Sequence, residues 1–385
     1  SDFDGGSSCT YVWNFGQRGF AHSAPSGYKA LCTTNLPDPT IADGSDYFDT
    51  KLWTGNSSTN TISGLEFSPD FVWIKGRSNA VHHALLDTVR GTNNYLYSSL
   101  DNAEVSGYTD ILTAFNSDGF TLGADSSNQV NYTGYTYAGW CWDAGSSTVS
   151  NTDGSITTSV RANQTAGFSI VSYTGTGANA TIGHGLNAAP EFAIFKSRNG
   201  ANHWLVYHKS IGSTKKVNLN LTDAASSSST FFQNTDPTSS VMYLGTESSG
   251  NWSGYNMIAY CFAPVAGFSA FGSYEGNGVA GDGTFVALGF APAFVMIKNV
   301  DDSANWTIWD SKRPGYNLNS SPLFANLTDS EGSGYRVVDL LSNGFKLRDP
   351  GGNATALLDT NTSGDTYLYI AFAENPFQAN GGLAR

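Results

Sequence analysis

Apolar residues in this chain come in short bursts separated by clusters of Gly, Asn, Ser and Thr. No stretch sustains apolar positions at a 3.6-residue period, so the pattern predicts very little helix. The bursts are rich in Val, Ile, Phe, Tyr and Trp. Residues of that kind between turn formers predict many short strands.

The bursts repeat, and self-similarity at a long period changes the whole reading. Three segments open at Phe48, Phe168 and Phe268, each followed by an aromatic residue and a glycine: Trp53 and Gly55, Tyr173 and Gly175, Tyr274 and Gly276. Each segment then places a proline ahead of an apolar run that ends in lysine: Pro69 to Lys75, Pro190 to Lys196, Pro292 to Lys298. Proline is tolerated there because its missing N–H falls at the start of the strand. Twelve residues past each lysine a second run ends, at Asp87, His208 and Asp310. Landmark leucines follow at 100, 221 and 327, and the last run carries Cys141, Cys261 or Ala371. From the opening Phe to that last position the spacing is 93, 93 and 103 residues.

This pattern predicts an all-β protein with three tandem antiparallel β-sandwich (jelly-roll-like) repeats. The expected boundaries are 48–145, 168–265 and 266–385. A Ser/Thr/Asn-rich linker is expected at 146–167, and a terminal segment with a connector at 1–47. The repeats are expected to stack as a row.

Composition narrows the partners. Charged residues are 13%, about half the usual share of about 25%, and the formal net charge is −13. A nucleic-acid binder needs a cationic face, so no nucleic acid is expected. No apolar run approaches the ~20 residues that span a bilayer, so no membrane insertion through a helix is expected.

Candidate chemistry is sparse. There is no Cys-x-x-Cys and no His-Glu-x-x-His, so neither a metal nor a cofactor is expected. Cys141 and Cys261 share the repeat position that Ala371 fills, which predicts small, buried, reduced residues in separate cores. Cys9 and Cys32 lie ahead of the repeats, and their pairing stays open. Gly276-x-Gly278-x-x-Gly281 matches a phosphate loop formally, but a strand-like run from Thr284 follows where a helix is needed. His82, His83, His203 and His208 fall at the ends of predicted strands with no Gly-x-Ser-x-Gly elbow. The carboxylates form no dense acidic motif of the kind glycoside hydrolysis uses. No catalytic residue is assigned. Lys75 with Asp87, and Lys298 with Asp310, are expected to form surface pairs worth at most about 1 kcal/mol each.

The best binding candidates are loops ahead of the last strand: Asn131-Tyr132-Thr133-Gly134-Tyr135 and Asn251-Trp252-Ser253-Gly254-Tyr255. The third repeat reads Asn361-Thr362-Ser363-Gly364-Asp365, without aromatics. The retained Asn and Gly indicate a turn. Tyr132, Tyr135, Trp252 and Tyr255 either pack at an interface or stack on sugar faces.

The run from Val12 to Arg18, with 27–31 and Leu36-Pro37, resembles the closing segment of SPRY-like, concanavalin-type modules. Phe67 to Lys75, Phe115 to Gly123, Gly183-His184-Gly185-Leu186 and Ala371 to Phe377 resemble tandem-repeat, tail-fibre-like virion proteins of marine bacteriophages. The resemblance implies an extracellular virion appendage, a homotrimer by analogy with phage fibres, that catalyses nothing. Its implied partners are other virion proteins and a bacterial surface glycan or protein. Alternatives of another class are a secreted or virion-borne polysaccharide-degrading enzyme and a bacterial cell-surface adhesin. If a glycan is bound at the four aromatics, the third repeat, with Thr362 and Asp365, is expected to bind worst.

Overall fold

The structure, a computed structural model, describes residues 39–376 apart from Gly315 and 333–335. The SPRY-like run, Cys9 and Cys32 lie outside the described residues. The protein is nearly all β, with 42% strand and 4% helix in antiparallel sheets.

One pairing pattern recurs at three places. The opening strands are Phe48–Thr54, Phe168–Thr174 and Ser269–Glu275. Each lies beside a closing strand: Thr136–Trp142, Asn256–Phe262 or Thr366–Pro376. On the closing strand's other side runs the proline-led strand: Phe71–Gly76, Phe192–Ser197 or Phe290–Asn299. Next outward comes Ala84–Asp87, Leu205–His208 or Trp306–Asp310. A smaller sheet covers one face in each case, formed around Gly119–Leu122, Val241–Leu244 or Gly344–Leu347.

The registers make the three sets equivalent residue by residue. Cys141 sits between Asp49 and Val72, Cys261 between Ser169 and Ala193, and Ala371 between Ala270 and Val295. Both cysteines are free and buried, in separate clusters. In the third set Ser269, not Phe268, takes the place of Phe48 and Phe168, because Ser269 pairs with Phe372 as Phe48 pairs with Trp142. The aligned phenylalanine therefore lies one residue ahead of the equivalent position.

Side chains alternate between faces along a strand, yet Phe71–Gly76 and Phe192–Ser197 are buried at every residue. Both faces of each large sheet are covered. Val72, Ile74 and Cys141 pack towards the small sheet in a local core. Phe71, Trp73, Trp140 and Trp142 turn the other way, into a core shared with Phe192, Tyr260, Phe262, Phe294, Ile370 and Phe372. At its centre the equivalent residues Trp142, Phe262 and Phe372 form a triangle. Ring centroids are 6.4 Å apart for Trp142–Phe262, 5.5 Å for Trp142–Phe372 and 5.6 Å for Phe262–Phe372. The three sheets close around this triangle with approximate threefold symmetry. They do not stack as a row: the aromatic faces of all three sheets bury apolar surface against one another in one shared core.

The linker expected at 146–167 is a β-hairpin instead. Thr148–Asn151 and Thr158–Asn163 pair with each other and add to the edge of the second large sheet. Alternate positions Thr158 and Val160 are buried, so a period of two lies beneath the polar composition. Arg161 ties the hairpin to Asp70 of the first set at 2.6 Å. Ahead of the first strand, a short turn at Gly44–Asp46 is capped by Asp43, and Ile41 enters the shared core.

Candidate functional site

The candidate loops share one construction. Asn131, Asn251 and Asn361 are buried. Their side-chain Oδ1 atoms accept from the backbone N–H of Asn56 (3.2 Å), Thr176 (2.7 Å) and Asn277 (3.1 Å). Their Nδ2 groups donate to the carbonyls of Ser58, Ala178 and Val279. Trp53, Tyr173 and Tyr274 each donate to the carbonyl just before that asparagine. Gly134, Gly254 and Gly364 have φ of +81°, +76° and +85°, the left-handed region that favours glycine. Asn and Gly therefore fix the loop backbone, and the aromatic positions are left to vary.

Those positions differ in exposure. Tyr132 and Tyr135 are 40% and 38% exposed, with rings stacked at 5.2 Å. Trp252 and Tyr255 stack at 3.9 Å and 8°. They are only partly exposed, packed against the core of the second set and over Gly200, where an added Cβ would lie 2.5 Å from the Tyr255 ring. In the third set Asp365 accepts from Asn299 Nδ2 at 2.8 Å.

Lys75 and Lys298 do not form the expected surface pairs. Hairpin register sets Phe71 opposite Asp87 and Phe294 opposite Asp310, so Lys75 and Lys298 lie at the far end of their strands. Lys75, Lys196 and Lys298 are fully buried. Their Nζ atoms donate to Thr328 O (3.1 Å), Asp101 O (3.0 Å) and Thr222 O (2.8 Å). Each acceptor follows a landmark leucine, so every repeat's lysine grips the same residue of its neighbour: first on third, second on first, third on second. Burial pushes Lys75 down to about 7, and Lys196 and Lys298 down to about 8.

A second contact follows the same cycle. Trp204 Nε1 donates to Tyr97 O (2.8 Å) and Trp306 Nε1 to Asn218 O (2.9 Å). His83 stands where the others have Trp. Its Nδ1 accepts from Trp73 Nε1 and its Nε2 lies 2.8 Å from Phe324 O. These partners hold it as a neutral imidazole with the proton on Nε2, and burial drives its pKa well down.

The seams differ in polarity. Asp87 and Asp310 are fully buried and each pairs with an arginine three residues on, Arg90 or Arg313. Each also accepts across a seam: Asp87 from Tyr260 OH (2.8 Å), Asp310 from Trp140 Nε1 (3.0 Å). Outer ion pairs, Arg198–Glu104 (2.8 Å) and Arg77–Glu331 (2.6 Å), flank the same two seams. The seam between second and third repeats is the uncharged version, in which His208 Nε2 lies 3.3 Å from Tyr369 O. His208 and Ile211 replace the Asp–Arg pair, Ile370 stands in the register position of Trp140 and Tyr260, and Val300 with Ala225 replaces the outer pair. The backbone bond survives there, Ala225 N to Val300 O at 2.9 Å, matching Glu104 N to Arg198 O and Glu331 N to Arg77 O.

His82 and His203 are accounted for in the same way. His82 Nδ1 lies 2.9 Å from Ser99 Oγ, a spacing that a hydrolytic dyad would share. The equivalent pairs are His203–Asn220 and Asn305–Asn326, so the position links the loop ahead of one strand to the turn after the next in all three repeats. Among the described residues no cluster of His, Cys, Asp and Glu is arranged to hold a metal, and no helix is long and apolar enough to cross a membrane.

No curated protein matches the chain. A family model described as a domain of unknown function (DUF7483) matches residues 43–376, from the capped turn ahead of the first strand to the end of the last closing strand. Spanning all three repeats and their shared core as one unit, that match shows that the chain belongs to the DUF7483 family.

Proposed function

We propose that this protein is a non-catalytic module of a bacteriophage virion appendage, holding host-binding loops on a rigid body. The observation that carries the reading is the cycle of seams. The buried lysines, arginines and aspartates bind one repeat to the next, which is the work of a scaffold. The phage assignment rests on the sequence resemblance given above. Threefold geometry expected from three chains is supplied within one, so we infer that the body is a monomer and not the homotrimer expected from sequence.

In this role the chain joins other virion proteins and faces a bacterial surface glycan. Tyr132 and Tyr135 are the better placed of the sequence candidates, since they are exposed where Trp252 and Tyr255 are only partly so. The test is adsorption of the purified chain to susceptible bacterial cells, comparing wild type with Tyr132→Ala/Tyr135→Ala and Trp252→Ala/Tyr255→Ala. Weaker adsorption of the first double variant supports the reading. Unchanged adsorption of both makes these residues packing groups, and no adsorption of the wild type refutes attachment.

A further inference from the structure

We propose a sugar-binding cleft on the third repeat, distinct from the four aromatics above. It rests on the glycan reading and names a different site for it. The stretch from Asp310 to Leu327 is four residues longer than its counterparts, Asp87 to Leu100 and His208 to Leu221. The extra residues do not extend a strand. They carry Tyr316 over a cleft of about 440 Å³ bordered by Pro292, Ser311, Leu341, Ser342 and Glu374. A cleft of this size suits one or two sugar rings.

Three features select the ligand. Tyr316 is 78% exposed, so its ring face is available for a pyranose to lie on. The floor contributed by Pro292 and Leu341 is apolar and suits a methyl group. No lysine or arginine is among the described residues that line the cleft, and the net charge of −13 disfavours an anion. The ligand class is therefore a neutral glycan carrying an N-acetylhexosamine, its ring on Tyr316 and its acetyl methyl on the apolar floor.

The loop is held in place by its own asparagines. Asn317 exchanges hydrogen bonds with both backbone groups of Leu340, and buried Asn319 donates to Asp310 O at 2.9 Å. The cleft lies at the Pro376 end of the closing strand, and the candidate loops lie at its Thr366 end. About 25 Å of strand separates them at ~3.3 Å per residue. Binding at the two places can thus be tested separately.

The experiment titrates the full chain with chitotriose, maltotriose and a uronic-acid trisaccharide by calorimetry. The wild type should bind chitotriose and not the uronic-acid probe. Tyr316→Ala should weaken binding about tenfold, the scale of one lost aromatic stack. Ser342→Trp, which fills the cleft without touching the loop, should abolish it at an unchanged melting temperature. Chitotriose binding that survives both variants but is lost in Tyr132→Ala/Tyr135→Ala overturns the cleft and leaves attachment standing. Failure to bind chitotriose also overturns the cleft, and cell adsorption then judges the attachment reading on its own.

Discussion

Replacing Asp87 by asparagine should cost about 3–5 kcal/mol, because it strips a buried arginine of its closest counter-charge. Arg90 and Asp87 are both fully buried. Asp87 also accepts from the Arg90 backbone N–H and from Tyr260 of the next repeat. Arg90 keeps Glu104 at 3.1 Å and the Leu85 carbonyl at 2.8 Å, which places the cost at the lower end of that range. The chain contains its own control. The seam between second and third repeats works with His208, Ile211 and Ile370 at the equivalent positions. Transplanting that set as Asp87→His/Arg90→Ile/Tyr260→Ile removes the buried Asp–Arg pair and its tyrosine partner together and leaves Glu104 paired with Arg198. It should cost less than the single change, as expected when groups act as one unit. Urea unfolding followed by tryptophan fluorescence and far-ultraviolet circular dichroism reads both. A single change costing under about 1 kcal/mol, well below that range, would refute the reasoning. So would a triple variant less stable than the single one.

The pH dependence has a definite sign. The three seam lysines fall from 10.5 to about 7–8 on folding. Between these limits the unfolded chain binds more protons, so stability must rise with pH. Buried tyrosines such as Tyr137, raised to about 12, reverse the trend above about 10, where unfolded tyrosine ionises. The melting temperature should peak near pH 9–10, and a fall between pH 7 and 9 would contradict this. Cys261→Ala should cost at most about 1–2 kcal/mol, since Ala371 fills the same site. Native Cys261, pushed up to about 12 by burial, should resist a thiol reagent until the protein unfolds. Gly200→Ala should displace the Trp252–Tyr255 stack and change tryptophan emission, with little effect on Tyr132 and Tyr135.

Much of the fold was legible because strand and turn signals are local. Phe71-Val72-Trp73-Ile74 reads as a strand from four residues, and its repetition at 192–195 and 294–297 marks equivalent elements. The closure around an axis has a sequence signal too. An isolated sandwich leaves the outer face of each sheet polar, whereas these strands are apolar at successive positions, as in sheets covered on both sides. Lys75 is buried against the sequence expectation because hairpin register depends on the turn, and a charged residue at a strand end looks like a surface group. The pairing of Asp with Arg three residues on, present at 87 and 310 and replaced by His and Ile at 208, was the available clue to two charged seams and one uncharged one. The hairpin at 148–163 was masked by polar composition, since its strands lie at the sheet edge and bury only alternate residues. The cleft under Tyr316 had one signal, the longer third repeat, whose extra residues do not reveal what they overhang.

The central claim is that one chain builds the closed, threefold body. Size-exclusion chromatography coupled to light and small-angle X-ray scattering tests it directly on the intact chain. The account predicts a mass of 40.9 kDa and a radius of gyration of about 21 Å, the value for a compact globule of this length. A species of three chains, or a monomer with a radius of gyration far above that compact value, as a row of separate sandwiches would give, contradicts it.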